Sequence, residues 1–280
     1  MKNSKYLIDS HVHISRAEPT LFSMPEPMVI EAMERYEIDF CCVSNIDGSE
    51  CGHDQSILPS EYQNDQVVTL KNDIAFAKRY EGKIGILPFV SPLLQGYSKE
   101  FEQLVLENKK YIYGIKLHPY HNRTAPDSKR FRPYLELADR LNIPVLSHTG
   151  GCEEASISHI CNAAEQFKSV PFIMAHMGLG SNNQEALEAL GKYDNLYVDT
   201  AWVSVSTILE VIKRYGSHRV LFGTDMPIDG VDTYLHNKNG DRSLYQEYFY
   251  EFHEMISQAD YDNVMYKTAM DLYKIKLDIE

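Results

Sequence analysis

Five histidines and one aspartate follow short apolar runs of the chain, and their side chains are of the types that bind divalent metals. These residues are, in chain order, His11, His13, His118, His148, His176 and Asp225. Polar groups at the carboxyl ends of strands converge if the strands form one parallel barrel. Imidazole and carboxylate groups together suit zinc and similar ions. The pattern therefore predicts a metal site at one end of a barrel.

The pair His11 and His13 has the spacing of two side chains on one face of a strand. On the inner face of a barrel such a pair can bind one ion. Asp225 follows the last apolar run, which lies beside the first run when a barrel closes, so it can bind the same ion or orient its water. Considered by itself, the histidine pair could equally lie on the surface. Asp225 considered by itself could be an ordinary turn residue. Asp9, an even step before the pair, is expected to help orient it.

His148 and His176 end consecutive runs, and a glycine follows each within two residues. Glycine allows tight turns that bring the backbone close to a ligand. A lone buried histidine is usually structural. Two with the same context favour a functional interpretation.

The fourth run ends in Lys116 and His118. A lysine that points into a barrel must be paired or reactive, since burying a free ammonium group is costly. Lys116 could bind metal as a carbamate, hold a substrate carboxylate or pair with an acid. His118 is expected to line the pocket. Arg123, in the loop that follows, is a further candidate for a substrate carboxylate, with a solvated surface charge as the alternative.

The elements that would position these residues alternate along the chain. Helix-like segments with apolar residues at i, i+3 and i+4 separate strand-like runs at 6–9, 38–44, 83–90, 112–118, 144–148, 171–176, 195–199 and 219–224. Eight such units predict a (β/α)8 barrel, an α/β fold that occupies residues 1–280 as one domain. The rival is a doubly wound open sheet, which would normally carry a glycine-rich loop after the first strand. Long polar loops at 45–66 and 226–242 are expected over the active face.

The composition excludes several classes of protein. A formal net charge of −13 disfavours nucleic acid as a partner. The apolar runs are too short to cross a membrane, and the first strand begins too early to leave room for a signal peptide, so we expect a cytoplasmic protein. The five cysteines include no C-x-x-C pair, which argues against a disulfide framework and a zinc ribbon.

In combination, these motifs resemble the amidohydrolase superfamily, in the amidohydrolase-2 branch that also contains aminocarboxymuconate-semialdehyde decarboxylase-like enzymes. The resemblance extends from residue 9 to residue 227, with a terminal helix beyond. The matching segments are 9–13 (DSHVH), 114–119 (GIKLHP), 147–150 (SHTG), 175–178 (AHMG), 197–200 (YVDT) and 221–227 (LFGTDMP).

The resemblance implies roles for individual residues. The ligands of a single divalent ion, with zinc as the first expectation, would be His11, His13, His148 and Asp225. His176 matches the histidine that serves as general base or polarises the substrate. Lys116 stands on the strand where binuclear members carry a carbamylated lysine, so a second ion would require that modification. Asp225 would also act on the attacking water.

We therefore predict a metal-dependent hydrolase of a small carboxylated amide, lactone or related ring. The leading alternative is a metal-dependent non-oxidative decarboxylase on the same scaffold. A TatD-like deoxyribonuclease is opposed by the net charge and by Lys116, where that family carries a glutamate. A non-catalytic metal-binding protein is the third alternative. No membrane partner is expected, and a homodimer is an expectation because superfamily members often form one.

Overall fold

The computed structural model describes residues 3–16, 24–226, 248–249 and 251–277. Eight strands, numbered in chain order, run parallel to one another in these ranges. They are β1 (Ile8–Ile14), β2 (Phe40–Asn45), β3 (Ile84–Ile86), β4 (Ile115–Leu117), β5 (Val145–Gly150), β6 (Phe172–Leu179), β7 (Leu196–Asp199) and β8 (Val220–Leu221). Each lies within or next to a run predicted from the sequence.

The strands pair in chain order and close into a barrel. β1 to β3 form one hydrogen-bonded group and β4 to β8 another. Parallel bridges between Ile86 and Ile112 and between Phe89 and Lys116 join the groups at one seam. At the other seam Val12 bridges Met226, so the first and last strands are neighbours. The predicted (β/α)8 barrel is confirmed, and the open sheet is wrong.

Helices follow the strands and pack their apolar faces on the barrel. They are α1 (Glu26–Tyr36), α2 (Gln66–Arg79), α3 (Lys99–Glu107), α4 (Pro119–Asn122), α5 (Arg132–Leu141), α6 (Ile157–Gln166), α7 (Gln184–Leu190) and α8 (Val205–Tyr215). α2 begins at Gln66, directly after Asp65. The Asp65 carboxylate accepts the backbone N–H groups of Val67 and Val68, and this cap extends the helix toward its N-terminus.

The chain returns to the barrel in a terminal helical segment. Its parts are Phe252–Met255, Gln258–Asp262, a π-helical turn at Asn263–Lys267, and Thr268–Tyr273. Val264 and Ala269 are fully buried, and Leu272 is half-buried. The Val264 carbonyl accepts the backbone N–H of Phe222 at 2.8 Å, which anchors this segment beside β8.

The loop after β2 is fixed over the active face by one buried carboxylate. Glu50 accepts the backbone N–H groups of Leu93 and Leu94 and, at 2.7 Å, the Asn122 amide. It thereby ties together the loops that follow β2, β3 and β4. Of the predicted loop 226–242, everything beyond Met226 lies outside the described residues.

The described part of the chain can be compared with the expectations for membrane-spanning helices and for the cysteines. No helix there is long and apolar enough to cross a bilayer. All five cysteines are free thiols, and Cys41 and Cys42 lie in the core.

Asp73 on α2 is a buried carboxyl whose ionisation is coupled to stability. Its Oδ1 accepts the Asn45 amide at 2.8 Å, while Oδ2 has no hydrogen-bond partner among the described residues. Burial raises the pKa of Asp73 from 3.8 to about 8. The unfolded chain therefore releases this proton at a lower pH than the folded one, and stability is lost as the pH rises from about 4 to about 8.

We expect Asp73→Asn to flatten the dependence of stability on pH. The amide keeps the acceptor for Asn45 but does not ionise. The decrease in the free energy of unfolding between about pH 5 and about pH 8, measured by urea denaturation, should be smaller by about 1–3 kcal/mol than in the wild type. The same substitution at the exposed Asp271 is the control. A profile for Asp73→Asn identical to that of the wild type would contradict the prediction.

Candidate metal centre

Three donor atoms, from β1 and from the turn after β8, meet inside the barrel. The Nε2 atoms of His11 and His13 are 3.2 Å apart, and Asp225 Oδ1 lies 3.2 Å from the first and 3.1 Å from the second. β1 supplies the histidines, and the turn after β8 supplies the aspartate. Two imidazoles and a carboxylate converging in a buried position fit a divalent ion.

The other nitrogen of each imidazole is held by a partner that fixes its tautomer. His11 Nδ1 lies 2.7 Å from Asp199 Oδ2, and His13 Nδ1 lies 3.0 Å from Ser44 Oγ. Asp199 can accept from His11. Ser44 Oγ donates its own proton to the Val12 carbonyl at 3.4 Å and so accepts from His13. This places both protons on Nδ1 and leaves both Nε2 atoms with lone pairs toward the common point. Burial lowers the pKa of both histidines and so favours the neutral imidazole, the form that binds a metal.

Asp225 is anchored from two sides. Its backbone N–H donates to the His11 carbonyl at 2.8 Å, which sets the turn against β1. Its Oδ2 accepts the indole N–H of Trp202 at 2.9 Å. Burial opposes ionisation, but the contacts with His11 and His13 outweigh it and hold the pKa of this carboxyl well below its usual value.

β1 and the residues that follow β8 cross closely beside His11. A Cβ placed on Gly223 would lie 2.9 Å from the Cβ of His11, so the crossing of β8 and β1 requires glycine there. Asp9 accepts the backbone N–H groups of His11 and Thr224, both at 3.1 Å. Asp9 therefore links β1 to the turn after β8. Its role in orienting the histidine pair stays a prediction.

Lys116 reaches the same point from β4. It is completely buried, and its Nζ lies 2.7 Å from His11 Nε2. Burial lowers the pKa of Lys116 to about 8. The amine therefore stands at the donor set itself, where a carbamate would add an oxygen ligand.

His176 completes a second set of donors with His11 and Asp199. Its Nδ1 lies 3.1 Å from the Ala201 carbonyl, which can only accept, so the proton is on Nδ1 and Nε2 carries the lone pair. Burial lowers the pKa of His176 to about 4, and the ring is neutral near neutral pH. Such an imidazole can accept a proton.

An open cavity of about 530 Å³ leads to this centre. Imidazole and other aromatic rings dominate its wall, and among the described residues no lysine or arginine lines it. The lining residues are Ile46, His53, His118, Tyr120, His121, His148, Gly151, His176, Leu179, Gly180, Trp202 and Asp225.

His118 and His148 lie side by side in the cavity wall. Their rings are stacked with centroids 4.4 Å apart, and Phe89 packs on the other side of His118 at 5.5 Å. His148 Nε2 lies 3.2 Å from the Gly150 carbonyl, which leaves Nδ1 as its lone-pair atom. His148 belongs to neither set of converging donors. Its role as a metal ligand and the substrate contact of His118 stay predictions.

The arginine candidate lies apart from the cavity. Arg123 is exposed and ends α4 in a left-handed conformation. It is absent from the described lining residues, and its contact with a substrate carboxylate stays a prediction. The nearby Arg130 donates to the Pro92 and Leu93 carbonyls and holds the loop after β3.

Two residues of the site were not assigned a role from the sequence. Asp199 is fully buried and holds both His11, through Oδ2, and the backbone N–H of His176, through Oδ1 at 2.9 Å. Its position at the end of β7 follows the same strand-end rule as the other site residues and could have revealed it. No sequence spacing connects Trp202 with Asp225, so the sequence could not have revealed this contact.

The family of the chain is shown by its match to a family model. Residues 8–275 match the model of the amidohydrolase family in its amidohydrolase-2 branch, and the chain belongs to that family. The resemblance seen in the sequence is confirmed. No curated protein matches the sequence significantly.

Solved structures of similar fold include two decarboxylases and a candidate hydrolase. The 2,6-dihydroxybenzoate decarboxylase from Rhizobium is 12% identical with a TM-score of 0.69, over 96% of this chain and 98% of that one. A candidate 2-pyrone-4,6-dicarboxylic acid hydrolase from Pseudomonas putida is 13% identical with a TM-score of 0.66, over 98% and 99%. The 5-carboxyvanillate decarboxylase from Novosphingobium aromaticivorans, which has bound manganese, is 12% identical with a TM-score of 0.69, over 96% and 97%. At these identities the likeness concerns the fold.

Proposed function

We propose that this protein is a metal-dependent hydrolase of a small carboxylated amide, lactone or related ring. The family and the buried donor set define a metal-dependent enzyme, and the proposal concerns the reaction and its substrate. The ion would be held by His11, His13 and Asp225, with His148 as the fourth ligand. Its imidazole-rich donors make zinc the first candidate.

The observation that carries the hydrolase proposal is the position of Lys116. A completely buried amine 2.7 Å from a ligating nitrogen can enter the donor set as an amine or as a carbamate. A lysine on this strand is typical of the binuclear hydrolases of the superfamily, whereas the decarboxylase-like members are not defined by it. Lys116 therefore also decides between one ion and two.

The chain's own groups can carry out the proton transfers of a hydrolysis. A divalent ion at this site supplies Lewis-acid activation of a water molecule and of the substrate carbonyl. His176 Nε2 is a neutral acceptor that faces the cavity, so it takes the proton of the attacking water and returns it to the leaving group. Asp225, held ionised and bonded through both oxygens, orients the water rather than removing its proton.

The decarboxylase alternative is favoured by one feature, the low basicity of Asp225. Its two oxygens are engaged by the histidines and by the Trp202 indole, so it is a weak acceptor for a water proton. Decarboxylation needs no attacking water. In that reaction His176 would handle the single proton that replaces the lost carboxyl group.

Isotope labelling separates the two reactions. The metal-loaded protein is incubated with a panel of carboxylated lactones, amides and aromatic acids in H₂¹⁸O and, separately, in D₂O, and the products are read by mass spectrometry. A hydrolase gives a ring-opened or cleaved product that contains one ¹⁸O from the solvent. Release of CO₂ with deuterium at the vacated carbon, and no ¹⁸O in the organic product, would establish the decarboxylase instead.

A further inference from the structure

Trp202 brings a bulky side chain and a single hydrogen-bond donor to the rim of the cavity. Its indole is 39% exposed and lines the cavity, yet its Nε1 donates to the buried Oδ2 of Asp225 at 2.9 Å. The other carboxylate oxygen, Oδ1, faces the Nε2 atoms of His11 and His13. The two oxygens of Asp225 therefore have separate partners.

The backbone at this residue is in a conformation that bulky side chains rarely adopt. Trp202 has a φ of 60°, in the left-handed region. Such a conformation in a non-glycine residue persists only where the surroundings enforce it, and it concentrates at functional sites. Asp225 has a φ of 58° and shares this feature, so both partners of the hydrogen bond are held in unusual geometry.

The segment that carries Trp202 contacts three residues of the centre. Asp199 holds His11, the Ala201 carbonyl holds Nδ1 of His176, and Trp202 holds Asp225. Thr200 fixes the segment to β8, because its hydroxyl donates to the Gly223 carbonyl at 2.8 Å and accepts the Gly223 N–H at 3.0 Å. A tryptophan that only covered apolar surface at the rim would not need a hydrogen bond from its indole N–H to a buried carboxylate.

We infer that Trp202 is a positioning residue for the metal centre, acting through Asp225. This inference rests on the proposed function. The indole N–H holds Oδ2, so Oδ1 alone is directed at the common point of His11 and His13 and would be the oxygen available to an ion. The same bond removes Oδ2 as a proton acceptor and leaves that task to His176.

The test compares the affinity for Zn²⁺ of the wild type and of Trp202→Phe, measured by competition with a chelator. Phenylalanine keeps an aromatic ring but cannot donate. Loss of a partner that orients a ligand typically weakens metal binding about 10- to 100-fold, and we expect a decrease in this range. Tyr111→Phe is the matched control, since it also removes one donor from an aromatic side chain, whose partner is the Glu81 carboxylate, and should leave Zn²⁺ affinity unchanged because Tyr111 does not line the cavity.

A spectroscopic signature follows from the composition. Trp202 is the only tryptophan of the chain, so fluorescence excited at a wavelength that tyrosine does not absorb reports on it alone. Titration of the metal-free wild type with Zn²⁺ should change this emission with the same midpoint as the chelator competition. Without added metal, Asp225→Asn should change it as well, because the acceptor of the indole loses its charge. A tryptophan outside the centre would respond to neither.

The outcomes separate this inference from the proposed function. If Trp202→Phe does not fold, 3-benzothienylalanine at position 202 keeps the indole shape with sulfur in place of the N–H and tests the same bond. Zn²⁺ affinity of the N–H-deficient protein within about twofold of the wild type would overturn the positioning role and leave the metal centre intact, since oriented ligands are worth at least tenfold. A wild type that binds no Zn²⁺ would overturn both.

Discussion

Replacing His11 and His13 together by alanine is expected to abolish stoichiometric metal binding and, with it, catalysis. The two imidazoles supply two of the three converging donors, and Asp225 with the proposed fourth ligand, His148, is too small a donor set to hold an ion against water. A divalent ion that activates water and carbonyl contributes several kcal/mol to the transition state, so activity should fall roughly a thousandfold or more. Elemental analysis after reloading with Zn²⁺ or Mn²⁺, together with kcat/KM, measures both effects.

The matched control is His53→Ala, which removes an exposed imidazole from the rim of the same cavity. It should retain the metal content of the wild type. A wild type with less than about one tenth of an equivalent of transition metal after reloading would defeat the prediction, because structural and catalytic zinc sites bind tightly enough to be filled. Full metal content in the double variant would show that the ion lies elsewhere.

The sequence predicted the barrel and the main donors because both depend on local periodicity. Side chains two apart on a strand share a face, which places His11 and His13 together wherever β1 lies. The closure of β8 against β1 then brings Asp225 to them. These inferences need only strand order, and strand order follows from right-handed crossovers.

The remaining contacts depend on distances across the barrel that no spacing encodes. The approach of Asp199 to His11 depends on how β7 faces β1 through the interior, and the Trp202 bond depends on a left-handed turn. The sequence equally gives no sign that His148 stacks on His118. Side-chain packing decides these positions, and packing is a property of the whole core.

Replacing His176 by asparagine is expected to leave the metal bound and to remove most of the activity. His176 has a φ of 68°, a backbone conformation that asparagine tolerates better than most residues. The backbone N–H that Asp199 Oδ1 accepts is retained, so the support of His11 survives the change. What is lost is the Nε2 lone pair. Removing a general base typically costs 10²- to 10⁴-fold, and we expect kcat to decrease within that range.

Metal content distinguishes the two roles that the structure permits for His176. Because His176 also forms a donor set with His11 and Asp199, it could bind the ion rather than transfer a proton. An ion retained with a decrease in kcat assigns proton transfer, whereas loss of the ion assigns ligation. His218→Asn, the same change at an exposed histidine that the cavity lining does not include, controls for the substitution itself. A variant that keeps both its ion and more than about half of its kcat would exclude both roles, since a functioning base is worth at least a hundredfold.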